Sequence, residues 1–500
     1  MNIEWNKKTE IIVFLITLLL ISSMYIYYNN KSTVGFGDET YYMLASKAII
    51  DNHWIIPMSM KYMYSTGNGY GEPLGKPALA YYIPAIFYRV GLFKYYSTFF
   101  SILTLSLIYY IGRKEYNFTV GIMSMILLSS IPFYIAFSIK SYVEMQMLFF
   151  IISSTYLIYK SFGSNSRKIL LISGIVIGLG FLTKEFVYLI PPIFLVYIVL
   201  QRGMNKIQCL KKLVIITIIG LLVASPWLIR NFITFGNPVF PQLLSIFGYK
   251  YIDKVGWNIH SNKLSNAIIA PVVSLHLVLG ILGMSYAIFK RKNIDVLFSV
   301  SFVMLFSLVF ILPSNDMRYM FPSLGFLAIL SARFINVLYN EMSNYYNKIG
   351  KAVVIVFMFI IIISCFNGIY KIGDNEAINR GKPKYMMDAF NWIRYNTPKD
   401  SVVYDLWVPD CAYFSNRVCT YQGVYCCSDL WYWWNKSESD AYNLFKKYDI
   451  DYVIIENTLF NSPATGIWTY TPFEAGKKLS KWNFSNMVYG NNYITIFQIN

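Results

Sequence analysis

Long apolar runs separated by short polar stretches fill roughly the first three quarters of the chain, and then the pattern changes. The first run, 11–28, follows a Lys7-Lys8 pair. It is too long for the apolar core of a secretory signal, and Tyr25-Ile26-Tyr27-Tyr28 stands where small residues would mark cleavage, so a retained first helix is expected. Further runs lie at 95–112, 119–137, 145–159, 169–183, 186–200, 213–229, 266–289, 294–312, 320–338 and 352–370. Each approaches the length that crosses a hydrocarbon core of about 30 Å, which predicts about eleven spanning helices. The segment 76–93 is apolar too, but Pro77, Pro84 and Arg89 suit a helix lying in the interface better than one crossing it.

Beyond residue 370 the apolar runs shorten to strand length, at 401–406, 452–455 and 493–499, with helical spacing between them at 385–396 and 438–448. Thr397-Pro398-Lys399-Asp400 reads as a helix-to-strand turn. The expected organisation is a transmembrane module over 1–370, with a first loop at 29–94 bearing interfacial helices, and a small α/β domain over 371–500. No internal repeat is evident.

Composition agrees with this pattern. Residues of the set AVILMFWYC make up 56% of the 500, mean hydropathy is +0.44 and charged residues are only 14%, against about a quarter in soluble domains. The net charge of +17 would hint at nucleic acid in a soluble protein. Here the basic clusters Arg113/Lys114, Lys160/Arg167/Lys168, Arg202/Lys206/Lys211/Lys212, Lys290/Arg291/Lys292 and Lys348/Lys351 fall in every second loop, which is the positive-inside pattern and implies no nucleic-acid partner. With 76–93 at the interface, that pattern predicts a multi-pass protein of the cell membrane, N-terminus in the cytoplasm and C-terminal domain outside. An oxidising exterior permits disulfides among Cys411, Cys419, Cys426 and Cys427; free thiols and a metal site stay open as alternatives.

Charges then gather at one end of the helices. Asp38-Glu39 opens an amphipathic stretch, 38–52, with Asp38 at a helix N-cap position after Gly35-Phe36-Gly37. The same loop carries His53-Trp54, Pro57 and Gly75-Lys76-Pro77. Later turns on that side carry Lys140 and Glu144, Thr183-Lys184-Glu185, Pro226-Trp227 with Arg230, and Asp316, Arg318 and Tyr319. Taken singly, each reads as a cap or a snorkelling side chain. Together, carboxylates and cations at a lipid–water boundary mark a site.

Asp38-Glu39-x-x-Tyr42, then Trp54 and Pro57, then Lys76-Pro77-x-Leu79 resembles the first outer loop of C-type (GT-C fold) membrane glycosyltransferases. The pattern is similar to that of glycosyltransferase family 39 and its relatives, the aminoarabinose transferases of lipid A and the protein O-mannosyltransferases. Those read Asp-Glu-x-x-Tyr, a Gly-Asp-Trp-like step and Lys-Pro-Pro-Leu. Ala78 here replaces the second Pro, and Asn52-His53 replaces Gly-Asp. Glu144 falls where the family has a second acid, usually Asp; Thr183-Lys184, Ser225-Pro226-Trp227 and Arg318-Tyr319-x-x-Pro322 resemble further landmarks. The resemblance covers roughly 1–340.

It implies transfer of a sugar from a polyprenyl-phosphate donor to a lipid, glycan or protein acceptor, with inversion and no covalent intermediate. Its leaving phosphate needs positive charge, which Lys76 with Arg318 or Arg230 would supply, Tyr42 assisting. Asp38 would serve as base toward the acceptor hydroxyl, with Glu144 a second acid. Glu39, His53, Lys184 and Tyr319 would support. No cofactor is expected, and a divalent metal stays open; the other partners are membrane lipids. Trp431-Tyr432-Trp433-Trp434-Asn435 faintly resembles the Trp-Trp-Asp motif of oligosaccharyltransferases without its Asp, and otherwise reads as a sugar-binding patch or as domain core. The three His are too scattered for a metal site. The alternatives are an oligosaccharyltransferase or lipid-oligosaccharide ligase, a flippase or transporter of lipid-linked sugars, and an assembly protein whose outer domain binds a partner.

Overall fold

The computed structural model describes residues 6–33, 35, 37–56, 59–60, 72–73, 76–240, 271–290, 292–311, 317–379, 383–405, 408–420, 430, 433–457 and 472–500. The chain divides into two compact units, one of residues 1–33, 94–228 and 259–379, the other of 34–93, 229–258 and 380–500.

The first unit is helical. The opening run forms α1 (Lys7–Lys31), started by Asn6, whose side chain accepts the Lys8 amide at 3.1 Å. Then come α4 (Tyr96–Glu115), α5 (Phe118–Ser130), α6 (Pro132–Ile139), α7 (Glu144–Phe162), α8 (Arg167–Phe181), α9 (Ile190–Leu200) and the long α10 (Lys206–Phe235). After them come α11 (Pro271–Lys290), α12 (Asn293–Phe306), α13 (Leu308–Ile311) and α14 (Leu324–Asn379). Where about eleven crossings were expected on length alone, five helices among the described residues are long and apolar enough to span, or six if the pair α5–α6, bent by 72°, is one broken span. The rest are shorter or more polar: α8 has 15 residues, and α4 carries Ser97, Thr98, Ser101 and Thr104. The expected run 352–370 and most of 320–338, from Leu324 on, fall in one continuous 56-residue helical stretch, α14.

Burial separates lipid-facing helices from central ones. Only 22% of the apolar window of α1, and 22% of the window at 352–378, is buried, whereas 318–342 is 83% buried. Leu19, Ile233 and Phe289 stand exposed, as a membrane allows and water would not. Close contacts use small residues, the usual device where lipid removes the hydrophobic drive for helix pairing. A Cβ on Gly174 would lie 2.6 Å from Ile219 and one on Gly178 2.6 Å from Val223, so α8 meets α10 almost backbone to backbone. At the α5–α6 bend Pro132 interrupts the hydrogen-bond ladder, and the Tyr25 hydroxyl donates to the Ser129 carbonyl at 2.6 Å. A carbonyl in the last turn of α5 thus finds a donor without water.

In the second unit lie α2 (Asp38–Asp51), a two-residue ribbon of β1 (Ser59–Met60) and β2 (Glu72–Pro73), and α3 (Leu79–Arg89). The 11 residues of α3 reach about 16 Å, too short to cross a bilayer. The C-terminal part places α15 (Lys384–Asn396), α16 (Val408–Ser415), α17 (Glu438–Lys447) and α18 (Pro472–Leu479) with a five-stranded sheet. Its strands are β3 (Val402–Tyr404), β4 (Val418–Thr420), β5 (Ile450–Glu456), β6 (Ser485–Gly490) and β7 (Ile494–Ile499), in the order β4-β3-β5-β7-β6. β3 pairs in parallel with β4 and β5; β7 is antiparallel to β5 and β6. The small α/β domain expected at the C-terminus is therefore present.

Trp433 is fully buried and meets Phe445 at 5.0 Å and Trp482 at 5.9 Å between ring centroids. Trp433 and Trp434 are thus domain core, while Trp431 and Tyr432 lie outside the described residues. Cys411 and Cys419 form a disulfide; Cys426 and Cys427 also lie outside the described residues.

Candidate active site

The expected site residues gather in two groups, one in each unit. In the second unit the group is built on α2. Gly37, not Asp38, is the N-cap, at φ 72° and ψ −118°, a conformation open to glycine and costly for other residues. Asp38 is the first helical residue and half-buried. Glu39 is buried and accepts the Gly35 amide at 2.7 Å, which closes the turn before the helix. Residues three and four positions along a helix share a face, so Tyr41 and Tyr42 stand one turn from Asp38.

Lys76 meets that face. Its Nζ donates to Tyr42 Oη at 3.0 Å and lies 4.5 Å from the ring centroids of both Tyr41 and Tyr42. The stem is fixed from behind, because the fully buried Tyr81 of α3 accepts the Lys76 amide at 3.0 Å and pairs its hydroxyl with that of Tyr41 at 2.8 Å. An ammonium carries three N–H donors, so one held over two electron-rich faces and bonded once to Tyr42 has the chemistry to meet an anion. Arg230, near the end of α10, lies within electrostatic range of Tyr81 and Tyr82, rests over the Phe235 ring at 5.3 Å and donates to Asn231 at 2.9 Å. His53 does not join this group. It stands exposed at φ 54°, past the far end of α2 from Asp38.

Two participants were not legible from sequence. Tyr41 and Tyr81 differ in nothing visible from the many other tyrosines, and only the fold brings them to Lys76. Nearby, Tyr413 of α16 has its hydroxyl pushed up from the ordinary value by burial first, and then by Tyr88 and the Glu39 carboxylate.

In the first unit, Glu144 begins α7 with its side chain 3% exposed. Its Oε1 takes Lys184 Nζ at 2.7 Å, with Arg318 Nη1 at 4.0 Å. Its Oε2 is buried and has no hydrogen-bond partner among the described residues. Lys184 Nζ lies 5.7 Å from the Phe186 ring centroid, and that ring meets Tyr319 edge-on at 5.6 Å. Gln146 donates to Thr183 at 3.0 Å and accepts the Tyr96 hydroxyl, tying α7 to the turn that carries Lys184. Glu144, Lys184, Arg318 and Tyr319, scattered along the sequence, thus form one cluster. Asp316 lies outside the described residues.

No group of three or more His, Cys, Asp and Glu side chains among the described residues could hold a metal ion.

Residues 76–229 match the family model described as dolichyl-phosphate-mannose-protein mannosyltransferase. No curated protein matches the sequence. Among solved structures the chain is similar to the oligosaccharyltransferase of Archaeoglobus fulgidus tethered with an acceptor peptide containing the NVT sequon, at 15% identity and a TM-score of 0.67, covering 90% of this chain and 69% of that one. The same archaeal protein in complex with Zn and sulfate gives 14% and 0.65, covering 88% and 68%. ArnT from Cupriavidus metallidurans bound to undecaprenyl phosphate gives 12% and 0.67, covering 98% of each chain. The fold is that of the GT-C membrane glycosyltransferases, and residues 76–229 carry the sequence likeness to one of their families.

Proposed function

We propose that this protein transfers a sugar from a polyprenyl-phosphate donor to an acceptor hydroxyl of a lipid, glycan or protein, by a single inverting displacement. The observation that carries the reading is Lys76, held over Tyr41 and Tyr42 with its Nζ 3.0 Å from Tyr42 Oη, one helical turn from Asp38. The acceptor oxygen attacks the anomeric carbon as its proton passes to the Asp38 carboxylate. The bond from that carbon to the phosphate oxygen breaks, and the electron pair leaves on the polyprenyl phosphate. Lys76 and Arg230 meet the charge that grows there, with the Tyr42 hydroxyl beside them. Glu144, held by Lys184 and Arg318 in the first unit, is the second acid of the reading, with Oε2 left to accept a hydrogen bond. The undecaprenyl phosphate of the ArnT structure and the acceptor peptide of the archaeal one support lipid-linked donors and macromolecular acceptors as the classes to test.

The C-terminal domain works on the outer side of the cell membrane, with the N-terminus inside. The basic loops support this orientation, as does the Cys411–Cys419 disulfide, which needs an oxidising compartment. The archaeal neighbour supports a second reading, transfer of a whole oligosaccharide. Activity abolished by EDTA and restored by a divalent ion favours that one.

The test is a transfer assay on purified protein with a panel of polyprenyl-phosphate sugars. Asp38→Asn is expected to abolish transfer while donor still binds, and Lys76→Met to raise the donor KM about tenfold or more, the loss of one charged contact. Full turnover by Asp38→Asn would refute the base; an unchanged donor KM in Lys76→Met would refute the phosphate site.

A further inference from the structure

We infer that Asp410, in the C-terminal α/β domain, is a positioning residue for the helix end that carries Asp38. It deepens the proposed function and rests on Asp38 as the base. The start of α2 has no side-chain cap of its own, so its first amides need partners from elsewhere. Asp410 supplies one across 373 positions of sequence. Its Oδ1 accepts the Gly37 amide at 2.9 Å and the Thr40 hydroxyl at 2.7 Å. Thr40 Oγ1 also lies 2.9 Å from the Gly37 carbonyl, and its single proton favours the nearer, charged acceptor.

Asp410 and Thr40 are both fully buried. Gly37 and Thr40 flank Asp38 on the chain, so one bond from the Gly37 backbone and one from the Thr40 side chain, both to one carboxylate oxygen, anchor the segment on either side of the proposed base. The carboxylate is itself held firmly. It sits on α16, which is tied to β4 by the Cys411–Cys419 disulfide, and Ser415 Oγ returns to the Cys411 carbonyl at 2.6 Å. The C-terminal domain therefore reaches into the chemistry by setting where Asp38 stands, in addition to any part it takes in choosing the acceptor.

A carboxylate displaced by about 1 Å loses about a hundredfold in rate, and positioning acts on turnover more than on donor capture. Asp410→Ala is therefore expected to lower kcat about 10–100-fold while the donor KM stays within about twofold, since Lys76 is held by other groups. Asp410→Asn keeps an oxygen able to accept both bonds and is expected to recover kcat to within about threefold of wild type. Thr40→Val, which removes one donor and keeps Asp410, should lose kcat to an intermediate degree; it serves where Asp410→Ala does not fold. Unchanged kcat in Asp410→Ala, or in Thr40→Val where the former is not folded, overturns the inference. So does Asp410→Asn as slow as Asp410→Ala in folded protein, which would mean that charge and not geometry matters. Asp38→Asn is assayed beside them: if it keeps full turnover the base assignment fails, whatever the Asp410 variants do.

Discussion

Lys184→Met tests the buried charge cluster of the first unit most directly. The wild-type side chains of Glu144 and Lys184 are 3% and 20% exposed, with 2.7 Å between Oε1 and Nζ. Replacing the cation leaves a carboxylate in the interior whose Oε2 has no hydrogen-bond partner among the described residues and whose remaining cation, Arg318, is 4.0 Å away. Removing one member of a buried pair costs about 3–5 kcal/mol. Arg318 and the start of α7 recover part of this, the helix end about 0.3–1 kcal/mol, and Lys184 is not fully desolvated. The expected loss is about 2–4 kcal/mol.

Glu144→Gln should cost less, about 1 kcal/mol, because the freed ammonium can turn toward solvent. The double variant should be close to Glu144→Gln alone, so the coupling equals the whole Lys184→Met loss, about 2–4 kcal/mol. Two reduced, buried cysteines in this unit, Cys209 and Cys365, provide the assay, since a thiol-reactive dye becomes fluorescent as they are exposed on heating in detergent. Lys184→Met should melt roughly 4–10 °C below wild type. If Lys184→Met melts no lower than Glu144→Gln, or if the double variant loses the sum of the two, Glu144 is not a buried charge that depends on Lys184.

Two further outcomes concern the C-terminal domain. Trp433→Ala should destabilise it by about 3–5 kcal/mol, the cost of emptying a packed aromatic site, measured as lost amide-exchange protection in β3 and β5; weakened acceptor binding with protection intact would restore the reading of a binding patch. Tyr385 stacks on Tyr493 at 4.6 Å and its hydroxyl faces Glu456 at 3.4 Å. Its hydroxyl is pushed up from 10.0, first by burial and then by Glu456. A raised value means stability fully present below pH 10 and lost as pH rises through the folded value. Tyr385→Phe should flatten the decline of melting temperature above pH 10, and an identical alkaline slope would show that the group contributes nothing.

The apolar runs and the change of period after residue 370 were enough to identify a polytopic helical protein with a small α/β domain, because lipid demands long uninterrupted apolar helices and a soluble sheet demands short alternating strands. β3, β5 and β7 were legible as short apolar runs of strand length. β4 and β6 were not: Val418–Thr420 is three residues long, and Ser485–Gly490 is a mostly solvent-facing edge strand, so neither leaves an apolar run. The 72° bend beside Pro132 was also hidden, since a run of apolar residues looks the same straight or broken.

The site divides in the same way. Asp38, Tyr42 and Lys76 could be read from short motifs because two of them share a helix face and the third follows in the same loop. The cluster of Glu144, Lys184 and Arg318 needed the packing of α7 against its neighbours, as charges on separate elements carry no spacing that links them. Asp410 is the extreme case. Nothing in residues 408–415 marks that carboxylate for a partner at Gly37, because a hydrogen bond across 373 positions depends only on where two surfaces meet. Local chemistry thus determined which residues could react and which could face lipid. Only the tertiary structure decided which backbone each charge holds in place, because that depends on distances in space rather than along the chain.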